Sequence, residues 1–205
     1  GITFQLPDGA TAQQEYLDKV WDLNKKEIIL YQVGLHGAVY GTPYFKVCPD
    51  ELVDPFTGDL YPRLVALDPE IVRIRTDPQD MNEVILYQIS YKIGEKWYAE
   101  ITCRADYDYT WNAKNEAVPV PHVEQEDEEV QDALWRVDEW EQSATYGNQR
   151  TLVSTEPWPH DFPPIIHWKN LPSLKSCYGD SDIDDAINIQ DKSNFVVSNM
   201  AKIVK

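Results

Sequence analysis

The residues of this chain best suited to chemistry are few. They are the run Gly179-Asp180-Ser181, four histidines at 36, 122, 160 and 167, three cysteines at 48, 103 and 177, and the acidic string Glu124-Gln125-Glu126-Asp127-Glu128-Glu129. A serine nucleophile needs a histidine within reach and an acid to orient it. No histidine follows Ser181; all four precede it. A serine that caps a helix by accepting a first-turn amide explains the same string without further assumptions. The four histidines share no metal-ligand spacing, and His167, set in an apolar strand, reads as a core histidine bonded to backbone. Consecutive carboxylates such as 124–129 do not converge on one cation, and their spacing is not that of a calcium loop, so a solvated loop is expected there. The cysteines form no CxxC pair, and an odd, widely spaced set fits small buried hydrophobes in a reducing compartment. There is no P-loop or other Gly-rich phosphate cradle. The residues therefore point to no enzyme, no metal and no cofactor.

Composition narrows the classes further. The chain has 205 residues, 42% of them hydrophobic, with seven Trp and twelve Tyr, which is enough to build a core. Its net charge of −17, from 18 basic and 35 acidic residues, opposes a surface that wraps nucleic acid. Such surfaces draw affinity from Lys and Arg that displace counterions from phosphates. The charge fits a channel that does not hold what passes through it and an ordinary solvated surface equally well. No apolar run of ~18 residues and no signal peptide directs the chain to a membrane. The start at Gly1 and the end inside a helical pattern read as cut ends of a longer protein.

The elements that must position these residues read as α+β: a long N-terminal helix, a mostly antiparallel sheet, and a long C-terminal helix projecting from the body. Thr11-Ala12-Gln13-Gln14 has the pattern of a capping box, and one helix is expected from there to Tyr40, ended by Gly41 and Pro43. Gly34 and Gly37 near its end imply close backbone packing, since each costs about 1 kcal/mol against Ala. Strands are expected at Pro43–Val47, Arg63–Leu67 and Ile71–Arg75, with Asp54-Pro55-Phe56-Thr57-Gly58-Asp59 as a hairpin tip. Glu83–Ile93 and Trp97–Tyr107 form the clearest hairpin. A three-residue loop there sets Ile93 against Trp97, Tyr91 against Ala99, Ile89 against Ile101 and Tyr87 against Cys103. That builds one apolar face, so an odd-length connection is expected, although Gly94 suits a type II′ turn. Ala133–Glu141 fits a helix stripe and a strand almost equally, and 143–164 reads as loop.

The last stretch organises the rest. After Gly179-Asp180-Ser181-Asp182 a helical pattern runs without Gly or Pro to Lys205, with Ser181 as its cap. At ~100° per residue, Ile183, Ile187, Gln190, Asn194, Val197, Ala201 and Val204 share one face. Ala186, Ile189, Ser193, Val196, Met200 and Ile203 share a second. Asp184, Asn188, Asp191, Ser198 and Lys202 fall on a polar strip. Two apolar stripes suggest two packing partners, with an ordinary buried terminal helix as the alternative.

Ahead of this helix stands Phe162-Pro163-Pro164-Ile165-Ile166-His167-Trp168-Lys169-Asn170, a proline-led strand ending in Lys-Asn. With the Gly179-Asp180-Ser181-Asp182 cap, Gln190-Asp191 and Asn194, this order resembles the portal proteins of tailed double-stranded-DNA bacteriophages. Upstream, Gly37-Ala38-Val39-Tyr40-Gly41-Thr42-Pro43-Tyr44-Phe45-Lys46-Val47 looks like the family's helix end, glycine and strand. Leu67-Asp68-Pro69-Glu70 and Asp77-Pro78-Gln79-Asp80 look like its turns. Gly-Asp-Ser alone is similar to the nucleophile block of small-molecule esterases, but the downstream Asp-x-x-His of that family is missing.

The portal resemblance implies that residues 1–175 are a wing-like domain and 176–205 a first stem helix, with clip, second stem helix, tunnel loop and crown beyond Lys205. It implies a structural viral protein of the virion, sited at the capsid vertex and assembled in the host cytoplasm. There it forms a homo-oligomeric, typically dodecameric ring. That ring is the channel for DNA packaging and ejection and the head-tail connector. Terminase, head-tail adaptor and capsid or scaffold proteins would be met mostly through regions beyond residue 205. Ile183, Ile187, Ile189, Val196, Val197, Met200 and Ile203 would then face the chain's own body and a neighbouring subunit. The alternative from another class is a non-phage α+β interaction module that dimerises through its C-terminal helix.

Overall fold

The structure, a computed structural model, describes residues 5–7, 9–122, 134–143, 150–173 and 176–203. The acidic string at 124–129, with its expected solvated loop, lies outside the described residues, as do Val204 and the side chains of Asn188, Ala201, Lys202 and Ile203. Among the described residues two helices, α1 (Thr11–Leu23) and α2 (Lys26–Tyr40), precede twelve strands, and α3 (Asp184–Ile203) follows them.

The expected α+β fold with one long N-terminal helix does not hold. The chain is mainly antiparallel β, with 44% of it in strands, and its helices are short. The N-terminal run breaks at Lys25, which adopts a left-handed conformation (φ 55°, ψ 61°). Asn24 is the cause. Its buried amide donates to the carbonyls of Val20 (2.8 Å) and Pro62 (3.0 Å), and its Oδ1 accepts from the Leu64 amide (2.7 Å). Anchoring to a strand in this way competes with continuing the helix. Replacing Asn24 with Ala would orphan the Leu64 amide and the Pro62 carbonyl, so a loss of about 2 kcal/mol or more is expected in urea denaturation. The capping box fails as well. Thr11 is already helical, Ala10 stands at the cap without a side-chain bond, and Gln14 reaches back to the Leu6 amide (2.8 Å).

The strands are β1 (Tyr44–Val53), β2 (Leu60–Leu67), β3 (Val72–Thr76), β4 (Val84–Ile93), β5 (Lys96–Arg104), β6 (Tyr107–Trp111), β7 (Ala117–Pro121), β8 (Trp135–Ser143), β9 (Arg150–Trp158), β10 (Ile165–His167), β11 (Leu171–Pro172) and β12 (Gly179–Asp180). They pair as a five-stranded sheet β3-β4-β5-β8-β9, a three-stranded sheet β10-β1-β2, and the ribbons β6-β7 and β11-β12. Every pairing is antiparallel. Asp54–Asp59 is the tip between β1 and β2, held by the Asp54 carboxylate accepting from the Phe56 amide (3.0 Å) and pairing with Lys19 (2.7 Å).

The five-stranded sheet is covered on both faces. Val72, Ile74, Tyr87, Ile89, Trp135 and Trp158 form one core with Tyr44, Leu67 and Ile165 of the smaller sheet. Leu86, Ile101 and Cys103 form another with Ala117 and the partly buried Tyr107, Tyr109 and Trp111 of the β6-β7 ribbon. This double burial explains why the expected hairpin register is wrong. Ile93 faces Lys96, Tyr91 faces Tyr98, Ile89 faces Glu100 and Tyr87 faces Thr102, an even, two-residue connection. Gly94 takes φ 60° and Glu95 does not take positive φ, as a type II′ turn requires. A single continuous apolar face was a false constraint, because apolar residues are needed on both sides.

Two strands emerge where the sequence was ambiguous or read as loop. Residues 135–143 are strand β8, an inner strand of the sheet between β5 and β9. Strand β9 lies within the stretch expected as loop; it is an edge strand on which only Trp158 is buried. An edge strand needs no apolar face, so it carries no alternation to read.

Candidate functional site

The residues that carry chemistry in the sequence disperse in the structure, whereas those around Ser181 converge. His122 pairs with Asp108 (2.8 Å), His160 stacks on Phe162 and meets Trp158 edge-on, and His167 bonds the Tyr87 hydroxyl (3.0 Å) rather than backbone. Burial, with the nearby Lys169 charge, pushes the His167 pKa down and favours the neutral ring. Cys48 and Cys103 are buried, Cys177 is partly buried, and all three are free thiols. Burial pushes the Cys103 thiol up to about 12. Among the described residues no three His, Cys, Asp or Glu gather to hold a metal ion, and no helix is long and apolar enough to cross a membrane.

The convergence is at the root of α3. Helix α2 ends at Gly41 in the left-handed conformation (φ 76°), with its amide on the Gly37 carbonyl (2.9 Å). The Ala38 carbonyl, one of those a helix end leaves without an intrahelical partner, accepts both the Ser181 hydroxyl and the Asp182 amide at 2.9 Å. The Gly41 carbonyl accepts the Asn170 amide (2.8 Å), and the Thr42 hydroxyl accepts the Gly179 amide (2.8 Å). Asn170 then donates from its side chain to Asp182 Oδ1 (2.7 Å). Gly41 and Gly179 touch backbone to backbone: a Cβ on either would overlap the other's carbonyl oxygen. A Cβ on Gly179 would also lie 2.8 Å from the Asn170 amide and 2.9 Å from Lys169 Cα. Thus the Lys-Asn that ends one strand, the Gly-Asp-Ser-Asp stretch and the glycine after α2 form one junction. The two glycines were the signal in the sequence; their contact was not.

Ser181 stands three residues ahead of the first residue of α3. Its hydroxyl accepts from the Ile183 amide (3.2 Å) while donating to Ala38. Ser181→Ala removes both bonds but leaves the Asp182 amide on Ala38, so about 1 kcal/mol of stability should be lost. Amide hydrogen exchange at residues 183–187 should accelerate correspondingly. Hydrolysis of a chromogenic ester that vanished in this variant would instead mark Ser181 as a nucleophile.

Beyond the junction α3 runs for 20 residues with acidic Asp184 and Asp185 in its first turn, where the helix dipole favours negative charge. Ile183, Ile187, Ile189, Val196, Val197 and Met200 are 41–66% exposed, and Phe195, which belongs to neither expected stripe, is 69% exposed. Ile203 lies in the helix, as does Lys202, and Asp184 and Asp191 are exposed. Burying each such apolar side chain would contribute about 1.5–3 kcal/mol, which the chain's own body does not supply. Compared with models of known protein families the chain matches none, and a comparison with curated proteins likewise gives no match.

Proposed function

We propose that this chain is a structural subunit of a tailed-phage portal ring. In this reading residues 1–175 form the wing-like domain and residues 176–205 the first stem helix. The ring, typically of twelve subunits, stands at the head vertex. Double-stranded DNA passes through it during packaging and ejection without sequence-specific binding. Terminase, the head-tail adaptor and capsid or scaffold proteins engage it mostly through other segments. The observation that carries the reading is the junction. The two stretches with the portal-like residue order, Gly37–Val47 and Phe162–Asn194, lie far apart in sequence and meet through the Ala38, Gly41, Asn170, Gly179 and Asp182 bonds.

The apolar residues of α3, exposed on more than one side, supply surface for a neighbouring subunit. Asp184 and Asp191 on the polar strip, and a net charge of −17, suit a channel wall that repels phosphate. Electron microscopy of the purified full-length protein tests the reading. Closed rings with an axial channel are expected. Two-fold particles would favour a dimerising interaction module, and compact monomers would count against both.

A further inference from the structure

The face of the five-stranded sheet turned toward the β6-β7 ribbon carries a cleft of about 320 Å³, on the far side of the sheet from the three-stranded sheet and independent of the α3 junction. Its shape follows from the register. Residues directly opposite across antiparallel strands share a face. One row runs Lys92, Trp97, Gln142, Arg150, and the next runs Ser90, Ala99, Trp140. The small Ser90 and Ala99 beside two indoles leave a hollow. The ribbon closes one wall with Trp111, which meets Trp140 edge-on at 5.8 Å and carries the Arg150 guanidinium over its ring at 4.6 Å. Trp140 is fixed by donating to the Tyr109 hydroxyl (2.7 Å), which donates in turn to Asp138 (2.6 Å). Trp97, 46% exposed, lines the cleft, with the Lys92 ammonium over its ring at 5.9 Å from the centroid.

The charged side chains at the cleft are Arg73, Lys114 and Arg150 against Glu70 and Glu116, since Glu141 shares the opposite face with Tyr98. Most are already engaged. Glu116 pairs with Arg75 (3.0 Å), Arg150 bonds Asn115, and Arg73 bonds the carbonyls of Glu70 (3.0 Å) and Val72 (2.9 Å). The cleft lies in a chain of net charge −17, whose overall field opposes the approach of an anion. It offers flat aromatic surface for aliphatic C–H groups, with amide and guanidinium groups at the rim for hydroxyls. Its volume lies at the lower end of the ~300–1,000 Å³ usual for small-molecule sites.

We infer that this cleft is a binding site for a neutral pyranose sugar, one ring stacking on Trp97 with its hydroxyls toward Gln142, Asn115 and Arg150. The site stands whether or not the chain is a portal subunit. The test is saturation-transfer NMR and titration calorimetry of the full chain. The probes are methyl glucoside, galactoside and mannoside, N-acetylglucosamine and maltose, with inorganic phosphate and a nucleoside as controls. At least one sugar is expected to bind with a dissociation constant of about 1 mM. Trp97→Ala, folded by circular dichroism, should weaken it about tenfold or more, while Trp168→Ala, also at an exposed indole but outside the cleft, leaves it unchanged. Absence of binding by every sugar, equal binding by the Trp97→Ala variant, or binding of phosphate or nucleoside instead would each overturn the inference.

Discussion

Replacing Gly179 with alanine is expected to tear the C-terminal helix from its anchor. The new Cβ would overlap the Gly41 carbonyl and crowd the Asn170 amide and Lys169 Cα, all backbone atoms that cannot rotate away. Either the Gly179–Thr42 and Ser181–Ala38 bonds open or the end of α2 unwinds. The loss should reach about 3 kcal/mol or more, in the class of severe backbone clashes, and should lower Tm by roughly 6–12 °C for a chain of this size. Gly34 supplies the internal control. It lies in the exposed part of α2, and a methyl added there would have nothing within 4 Å, so Gly34→Ala should stabilise by about 1 kcal/mol through helix propensity alone. The expectation that close packing offsets both helix glycines therefore holds for neither in full: Gly37 meets Asn170 at ordinary contact distance and Gly34 meets nothing.

Charging one stripe of α3 should have the opposite signature, leaving the chain intact and removing the assembly. Ile189 and Val196 are 66% and 54% exposed, so Ile189→Asp with Val196→Asp should change the stability of the isolated chain by no more than about 0.5 kcal/mol per site. At a subunit contact the same changes forfeit about 1.5–3 kcal/mol of burial for each side chain and place carboxylates in an apolar seam. The penalty recurs at every contact around a ring, so assembly of the full-length protein should fail while circular dichroism shows a folded wing. Asp184→Asn with Asp191→Asn, on the polar strip, should assemble normally and at most alter DNA passage.

What could be read in the sequence depended on how locally each feature is encoded. The end of α2 at Gly41, the hairpin tip at Asp54–Asp59 and the helix after Ser181 rest on residues close together in the chain, and they stand where expected. The break at Lys25 was hidden because Asn24 acts through β2, forty residues away. The β4-β5 register was misjudged because one-sided burial was assumed for strands that the β6-β7 ribbon also covers. Strand β9 offered no alternation because it borders solvent, and its turn residues looked like loop. At the candidate site Ser181 and its neighbouring glycine were visible as signals, and their partner was not. Nothing in the sequence says that the Ala38 carbonyl receives Ser181, or that Gly41 and Gly179 meet. Phe195 escaped because it falls on the polar strip, where an exposed aromatic breaks the pattern.

The most direct test of the portal reading is the native mass of the full-length protein, measured by mass spectrometry in parallel with the Ile189→Asp, Val196→Asp variant. The account predicts a single closed oligomer of about twelve subunits, the number the portal resemblance implies for a heterologous ring, and its loss to folded monomer in the variant. A parent that is monomeric or dimeric, or a variant that assembles as the parent does, would contradict it.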